Sequence, residues 1–381
     1  MSSLFSCMHT SPSPETSPPA PAVPSQRLLS LDALRGLDML CIIGLGSLVS
    51  ALAAKNPDMV WLQTLTKQWT HCAWEGIHLF DLIFPLFLFI AGVSMAFSFR
   101  SMQAKNTSRP AMAWHLVKRA LLLAGLGIIV NGPLEMPWQD WRFASVLGLI
   151  GTAGAVAGLL ALWLKKTSLL AIAFSVILLV TAILQLTIGT LDRDGCVNGL
   201  LDRLILPGSL HGGNIDPEGI LCIFSAVAVA LGGYLTGRYL ANTLHAPWRK
   251  AASMGGAGLA CLLAGWALHT TFYPAIKNMW TSSFDLIAMG WSLLALTVAY
   301  FLFDVMQWRK TAYPLQVVGA NALFIYMAQA FVSFHSIANH LFGGIASEFP
   351  ATQWVIMACA TLLIQWLLLA WMHSRRIFIK I

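Results

Sequence analysis

The sequence predicts an all-α membrane protein, a polytopic helix bundle of about ten transmembrane helices, and three observations carry that prediction. Hydrophobic residues make up 57% of the 381 and charged residues only 10%, against roughly 25% charged in an ordinary soluble domain. Apolar runs near the ~20 residues needed to cross a bilayer recur along almost the whole chain and leave no room for a large soluble domain. Lys and Arg alternate in density from one inter-helix loop to the next, as their resistance to translocation requires.

Residues 1–27, rich in Ser and Pro ("SPSPETSPPAPAVPS"), have little to bury and read as a disordered cytoplasmic tail. They hold neither a basic n-region nor an apolar core, so no cleavable leader is evident and the first helix must serve as the targeting signal. The transmembrane domain, 28–381, carries apolar runs near 33–54, 77–99, 112–131, 143–163, 168–188, 219–240, 253–272, 284–304, 315–336 and 353–373, broken by Pro, Gly and charge. Ten crossings return both termini to one side. The tails and the loops after even-numbered helices hold 17 of the 23 basic residues, which predicts that both termini are cytoplasmic. The net charge of +7 is then a topology signal, and nothing in it suggests nucleic acid.

The seven cysteines lack metal-ligand spacing and read as small core residues. Only Cys72 and Cys196 fall in loops that could share an oxidising compartment, and a disulfide between them is not expected. Glycines at 148, 151, 154 and 158, and at 233 and 237, read as faces for close helix packing.

The non-cytoplasmic face carries the groups capable of chemistry, Glu135 and Asp140 among them, and its two longest loops, about 55–76 and 189–218, are candidate pocket walls. In "THCAWEGIHLFD", a helix would place His71, Trp74, His78 and Asp81 on one stripe beside Glu75. An interfacial belt would explain the aromatic and imidazole groups, but a carboxylate at the mouth of "LIFPLFLFIAGV" marks a functional site. In "NIDPEGILCIF", Asp216 and Glu218 flank Pro217 at the start of the sixth helix. They serve either as cap and dipole partner or as a pocket wall for a cationic or hydroxyl-rich ligand. In "KNMWTSSFD", Lys277, Asn278, Trp280 and Ser282 form either a polar rim with an aromatic platform or a snorkelling lysine with a belt tryptophan. Asn321 and Gln329, within the ninth helix, need partners in hydrocarbon. No Cys-x-x-Cys, His-Glu-x-x-His, P-loop or dinucleotide pattern is present. A histidine at the bilayer edge suits proton or acyl transfer.

Taken in order, "SLDALRGLDML", "HCAWEGIHLFDLIFPLFLFIAG", "LDRLILPG", "DPEGILCIFSAVAVALGGYLTGR", "KNMWTSSF" and "VGANALFIYMAQA" resemble the transmembrane acetyltransferases related to heparan-alpha-glucosaminide N-acetyltransferase, whose bacterial members include the NagX group. The resemblance covers about residues 28–373 and has no counterpart for the large N-terminal luminal domain of the lysosomal enzyme. It implies a bacterial inner-membrane enzyme that moves an acetyl group from cytosolic acetyl-CoA to the amine of a glucosamine-type sugar on the periplasmic side, with no metal. It puts the family's active histidine on His71, with Asp81 orienting the imidazole or favouring its charged form. The ring is expected to sit dry, close to an emerging thioester carbonyl, as base or as acetyl carrier. Trp74, Glu75, Asp216, Glu218, Lys277, Asn278, Trp280 and Asn321 are implied as substrate-pocket residues. Arg35 in "LDALRG" is the candidate contact for CoA, whose phosphates favour the basic cytoplasmic edge; its alternative role is a topology anchor. A homodimer is implied by analogy. The leading alternative is an amino-sugar transporter with alternating access, which inverted repeats would favour; the two halves of the chain show no convincing repeat.

Overall fold

The computed structural model describes residues 28–132 and 137–379; the expected tail over 1–27, together with Glu135, lies outside the described residues. The first crossing is a composite. Helix α1 (Leu29–Leu40) runs through a π turn at Cys41–Leu45 into α2 (Gly46–Lys55), with Gly44 leaving helical dihedrals inside the turn. Then follow α3 (Val60–Gln68), α4 (Leu79–Ala104), α5 (Arg109–Val130), α6 (Val146–Trp163), α7 (Thr167–Thr187), α8 (Val197–Ile205), α9 (Ile220–Ala241), α10 (Pro247–Thr271) and α11 (Ser282–Ala299). The chain closes with α12 (Arg309–Ala320), α13 (Ala322–Phe331), α14 (Phe334–Ser347) and α15 (Gln353–Ser374). Nine helices among the described residues are long and apolar enough to cross a membrane, as the all-helical prediction requires.

The exception is the predicted helix over 315–336, which is broken at Asn321 (φ −128°, ψ 35°). An amide in hydrocarbon must be satisfied, and here the segment after α15 does it. Asn321 Nδ2 donates to the Ile377 carbonyl at 2.9 Å and Oδ1 accepts from Ile379 N–H at 3.0 Å. Gln329 bridges elements instead, donating to the Ile43 carbonyl at 3.1 Å inside the π turn. The predicted loops 55–76 and 189–218 contain α3 and α8, and α14 occupies a stretch expected to be loop.

Helices α4, α6 and α9 form the interior, α9 being 72% buried over its membrane window, while α5, α7 and α10 form the outer layer, α5 at 17%. Without a hydrophobic drive between helices in lipid, close backbone approach sets which pairs form. A Cβ on Gly92 would stand 2.2 Å from the Ala230 carbonyl, and one on Gly233 2.2 Å from that of Phe89, so α4 and α9 touch backbone to backbone. Gly36 and Gly319 do the same for α1 and α12. Around the second contact lies a separate core of Met39, Ile43, Val317, Val318, Ile325 and Leu369. Leu29 and Ser30 N–H groups donate to Asp304, while Arg100 and Arg238 reach the carbonyls of Ala241 and Lys165. These contacts mark the basic end of the bundle, and the loops that carry the candidate site cap the other.

Candidate active site

Asp81 sits in the first turn of α4, where helix N–H groups lack intrahelical partners and a carboxylate is favoured. Its Oδ2 accepts from His78 N–H at 3.0 Å and from Cys72 N–H at 3.2 Å, and its side chain is fully buried. Oδ1 stands 2.7 Å from Nδ1 of His71. The expected helical stripe is therefore corrected: residues 71–78 are not helical, and a turn, not three-and-four spacing, brings the pair together. Gly76 makes that turn with φ 108°, a conformation glycine adopts without steric cost.

The same turn recruits a second segment. Gly76 N–H donates to the Ala275 carbonyl at 3.0 Å, and Glu75 and Gly76 bridge to Ile276. The next residue, Lys277, thereby places Nζ 3.7 Å from Asp81 Oδ1, 3.0 Å from His71 Nδ1 and 3.3 Å from His71 Nε2. Burial pushes the Lys277 pKa down, with the charges of Asp81 and Glu218 opposing that shift. The His71 ring is half exposed and not dry as expected, and lies against Phe80 at 4.7 Å between centroids.

The acidic pair is held by a residue that sequence reasoning did not single out, Arg142. Its Nε and Nη2 donate to Asp216 at 2.8 and 2.6 Å, and Nη2 also reaches Glu218. Asp216 accepts two further bonds, from His211 and Glu218 N–H groups. Burial works against its charge, but Arg142 prevails and holds its pKa below the usual carboxylate range. Burial, reinforced by the Asp216 charge, pushes Glu218 up to about 7. Asp202 caps α9 by accepting from Asp216 and Ile220 N–H groups, and its burial raises it to about 6. The expected roles are divided: Arg142 fills Asp216, Asp202 supplies the cap, and Glu218 lines a cavity wall. Arg142 left one signal, being among the six basic residues assigned against the positive-inside bias.

A cavity of about 260 Å³ joins these groups. His71, Lys277 and Glu218 share its wall with apolar residues that include Phe80, Phe84, Phe87, Leu323 and Tyr326. Phe87 and Leu323 also line a second cavity of about 480 Å³ that holds Arg35, Ser94, His115 and Arg119. Arg35 donates to Ser94 Oγ at 2.8 Å and pairs with Asp32. Phe99 in turn lines both the second cavity and a basic pocket of about 900 Å³ bearing Arg100, Arg109, Lys165 and Arg238.

Other predicted pocket residues lie elsewhere. Trp74 donates its indole N–H to the Leu191 carbonyl at 2.9 Å and packs on Cys196, Ile215, Ile276 and Met279. Glu75 is exposed and Asn278 half-buried, its carbonyl beside Cys222 Sγ. Trp280, expected as a rim platform, is fully buried: a left-handed turn (φ 48°) aims it into the core, edge-on to Phe84 and Phe284. Asn321 engages the C-terminal segment as described above. Cys72 and Cys196 are both free thiols.

No protein-family profile matches the chain. It is similar to heparan-alpha-glucosaminide N-acetyltransferase of mouse, 25% identical over 385 residues covering 83% of this chain and 57% of that protein. The human protein of the same name is 26% identical over 379 residues, 83% of this chain and 56% of its own length. The chain thus spans a little over half the length of the curated relatives it matches. It is a polytopic membrane helix bundle distantly related to proteins named for acetyl transfer to a glucosaminide nitrogen.

Proposed function

We propose that the protein is a membrane-embedded N-acetyltransferase of the NagX type, acting in a bacterial inner membrane. It moves the acetyl group of cytosolic acetyl-CoA to the amine of a glucosamine-type acceptor on the periplasmic side. The observation that carries this is a pair of adjacent cavities that share Phe87 and Leu323 as a common wall, one lined by His71 and Lys277 of the cluster with Asp81, the other by Arg35 and Arg119. The sidedness follows from the Lys and Arg distribution.

The chain supplies the following chemistry. Asp81 fixes His71 through Nδ1 and leaves Nε2 for proton transfer. A sugar ammonium gives its proton to Nε2, and the freed amine attacks the thioester carbonyl carbon. Lys277, whose Nζ stands between the two nitrogens and Asp81, supplies the cation that meets the developing oxyanion. Nε2 releases that first proton to solvent and takes the second from the attacking nitrogen; the C–S bond then breaks, and the CoA thiolate takes this proton from the imidazolium, leaving neutral amide, thiol and one proton in solvent. General-base transfer of this kind contributes ~10²- to 10⁴-fold in rate. Glu218, on the same cavity wall, faces the sugar hydroxyls or ammonium. Asp216 acts through Arg142 and Glu218 in shaping that wall, and Trp74, Glu75 and Asn278 form the loop layer above it. Arg35 and Arg119 lie where the anionic part of CoA enters, and Asn321 and Trp280 hold the helices around the path.

The test is purified protein in detergent with labelled acetyl-CoA and glucosamine. Acetylated glucosamine formed without any vesicle supports the enzyme. Glucosamine uptake into sealed proteoliposomes, with no acetylation in either preparation, would establish the transporter instead.

A further inference from the structure

The reaction cavity also has a lateral neighbour. Ile42 and Phe80 line the cavity and at the same time line a larger groove of about 730 Å³ between the first crossing and α15. Both walls belong to helices little buried by protein, with 33% and 28% of their membrane windows covered, so the groove lies on the lipid-facing side. Its floor is cut by small residues, Gly44, Ser47, Ser50, Ala51 and Ala54, and Met357 and Leu362 form the opposite wall. From Gly46 to Ala54 the regular helix advances about 12 Å at 1.5 Å per residue, and the π turn at Cys41–Leu45 adds a few ångström, together about half of the ~30 Å hydrocarbon thickness. None of the groove's lining residues is Asp, Glu, Lys or Arg.

Between groove and site stands a row of mutually tilted rings. Trp69 stands 6.4 Å from Phe80, and Phe80 4.7 Å from His71. The Trp69 indole N–H is buried in this row and has no partner among the described residues, so it lacks the acceptor that a buried donor requires. A free sugar is too short to use the length of this groove, whose lining is mainly apolar, with Ser47, Ser50, Thr361 and His335 as polar side chains. A molecule whose tail occupies the groove presents its head group at His71 and an oxygen of its head-to-tail linkage beside Trp69.

We propose that the acceptor is a lipid-linked amino sugar whose hydrocarbon tail lies in this groove; the proposal rests on the acetyltransferase activity above. The wall of Ile42 and Phe80 common to groove and reaction cavity favours the acceptor's own tail over an unrelated membrane lipid. The two-carbon acetyl group of the donor has no use for such a groove.

The test uses the full chain reconstituted in phospholipid vesicles, with labelled acetyl-CoA and two acceptors, glucosamine and hexadecyl glucosaminide. Wild-type protein is expected to show at least ~10-fold higher kcat/KM for the tailed acceptor, with the gain in KM. Ala51→Trp fills the groove and is expected to reduce the tailed-to-free ratio ~10-fold. The milder Ala51→Leu should reduce it in the same direction, whereas Leu259→Trp on the exposed face of α10 should leave it at the wild-type value. Equal kcat/KM for the two acceptors in the wild type would overturn the proposal. So would an equal effect of Ala51→Trp on both acceptors, the mark of a groove that holds ordinary phospholipid. Use of hexadecanoyl-CoA as donor, abolished by Ala51→Trp, would assign the groove to the donor and overturn it too. Acetylation of neither acceptor would instead refute the transferase activity itself.

Discussion

Replacing Asp81 by Asn keeps the volume and removes the charge, and its consequence can be worked out from the two carboxylate oxygens. Oδ2 accepts two backbone N–H groups, of Cys72 and His78, that cannot be turned away, while Oδ1 faces His71 Nδ1 and Lys277 Nζ. An asparagine has one acceptor oxygen and one NH₂. Its oxygen must stay with the backbone pair, so the NH₂ confronts His71 and Lys277. Nδ1 must then act as acceptor and the ring proton moves to Nε2, which turns the proposed base into a donor. Loss of a hydrogen bond to a charged group costs ~1.5–3 kcal/mol, or ~10- to 150-fold at 1.36 kcal/mol per decade. The wrong tautomer extends this toward ~10⁴-fold where a histidine is the base. The assay is kcat and KM for glucosamine with labelled acetyl-CoA, on protein whose Tm is measured in parallel. The expected result is a fall of at least ~10-fold in kcat with little change in KM. A variant that folds and keeps kcat within about two-fold would refute the role given to the His71–Asp81 bond.

Arg142→Met strands Asp216 and Glu218 without their cation; removing one partner of a buried ion pair costs ~3–5 kcal/mol, read as a large fall in Tm in detergent, and an unchanged Tm would show that the two carboxylates do not depend on it. Glu218, raised by burial to about 7 from an ordinary glutamate pKa of ~4.3, binds its proton more tightly folded than unfolded. Its contribution is therefore fully present below pH ~4.3 and is lost as pH rises through about 7, a change on the order of 3 kcal/mol. Glu218→Gln should flatten the fall of Tm across that window, and an identical Tm profile in both proteins would contradict the burial argument. Leu323→Trp adds bulk at the wall common to the two cavities and should lower kcat/KM for acetyl-CoA by at least ~10-fold while leaving Tm near wild type. Unchanged donor kinetics would mean that acetyl-CoA takes another route.

The crossings were legible because the signal for each is local: a run of about the right length, without charge, between basic or Gly- and Pro-bearing breaks. The break at Asn321 was not, because the groups that satisfy its amide lie at Ile377 and Ile379, and periodicity carries no information about a partner so remote. Asp81 stands out as a carboxylate facing an apolar run, yet helical spacing is not what brings it to His71: Gly76 and a bridge to Ile276 do. Arg142 is hard to read for the same reason as the break: its partners are 74 and 76 residues away. Trp280 illustrates a different failure. Composition marks a tryptophan at a helix start as interfacial, and only the left-handed backbone turn sends it inward. The adjacent cavities have no linear signature, since Phe87 and Leu323 acquire their meaning by lining both.

The most direct measurement is a single-turnover reaction of the purified full chain with labelled acetyl-CoA and glucosamine, run side by side with His71→Ala of matched Tm. The wild-type protein should convert bound donor to acetylated sugar and free CoA, and the variant should retain acetyl-CoA binding yet form no product above the protein-free rate. Equal product from both proteins would contradict the assignment of the chemistry to His71.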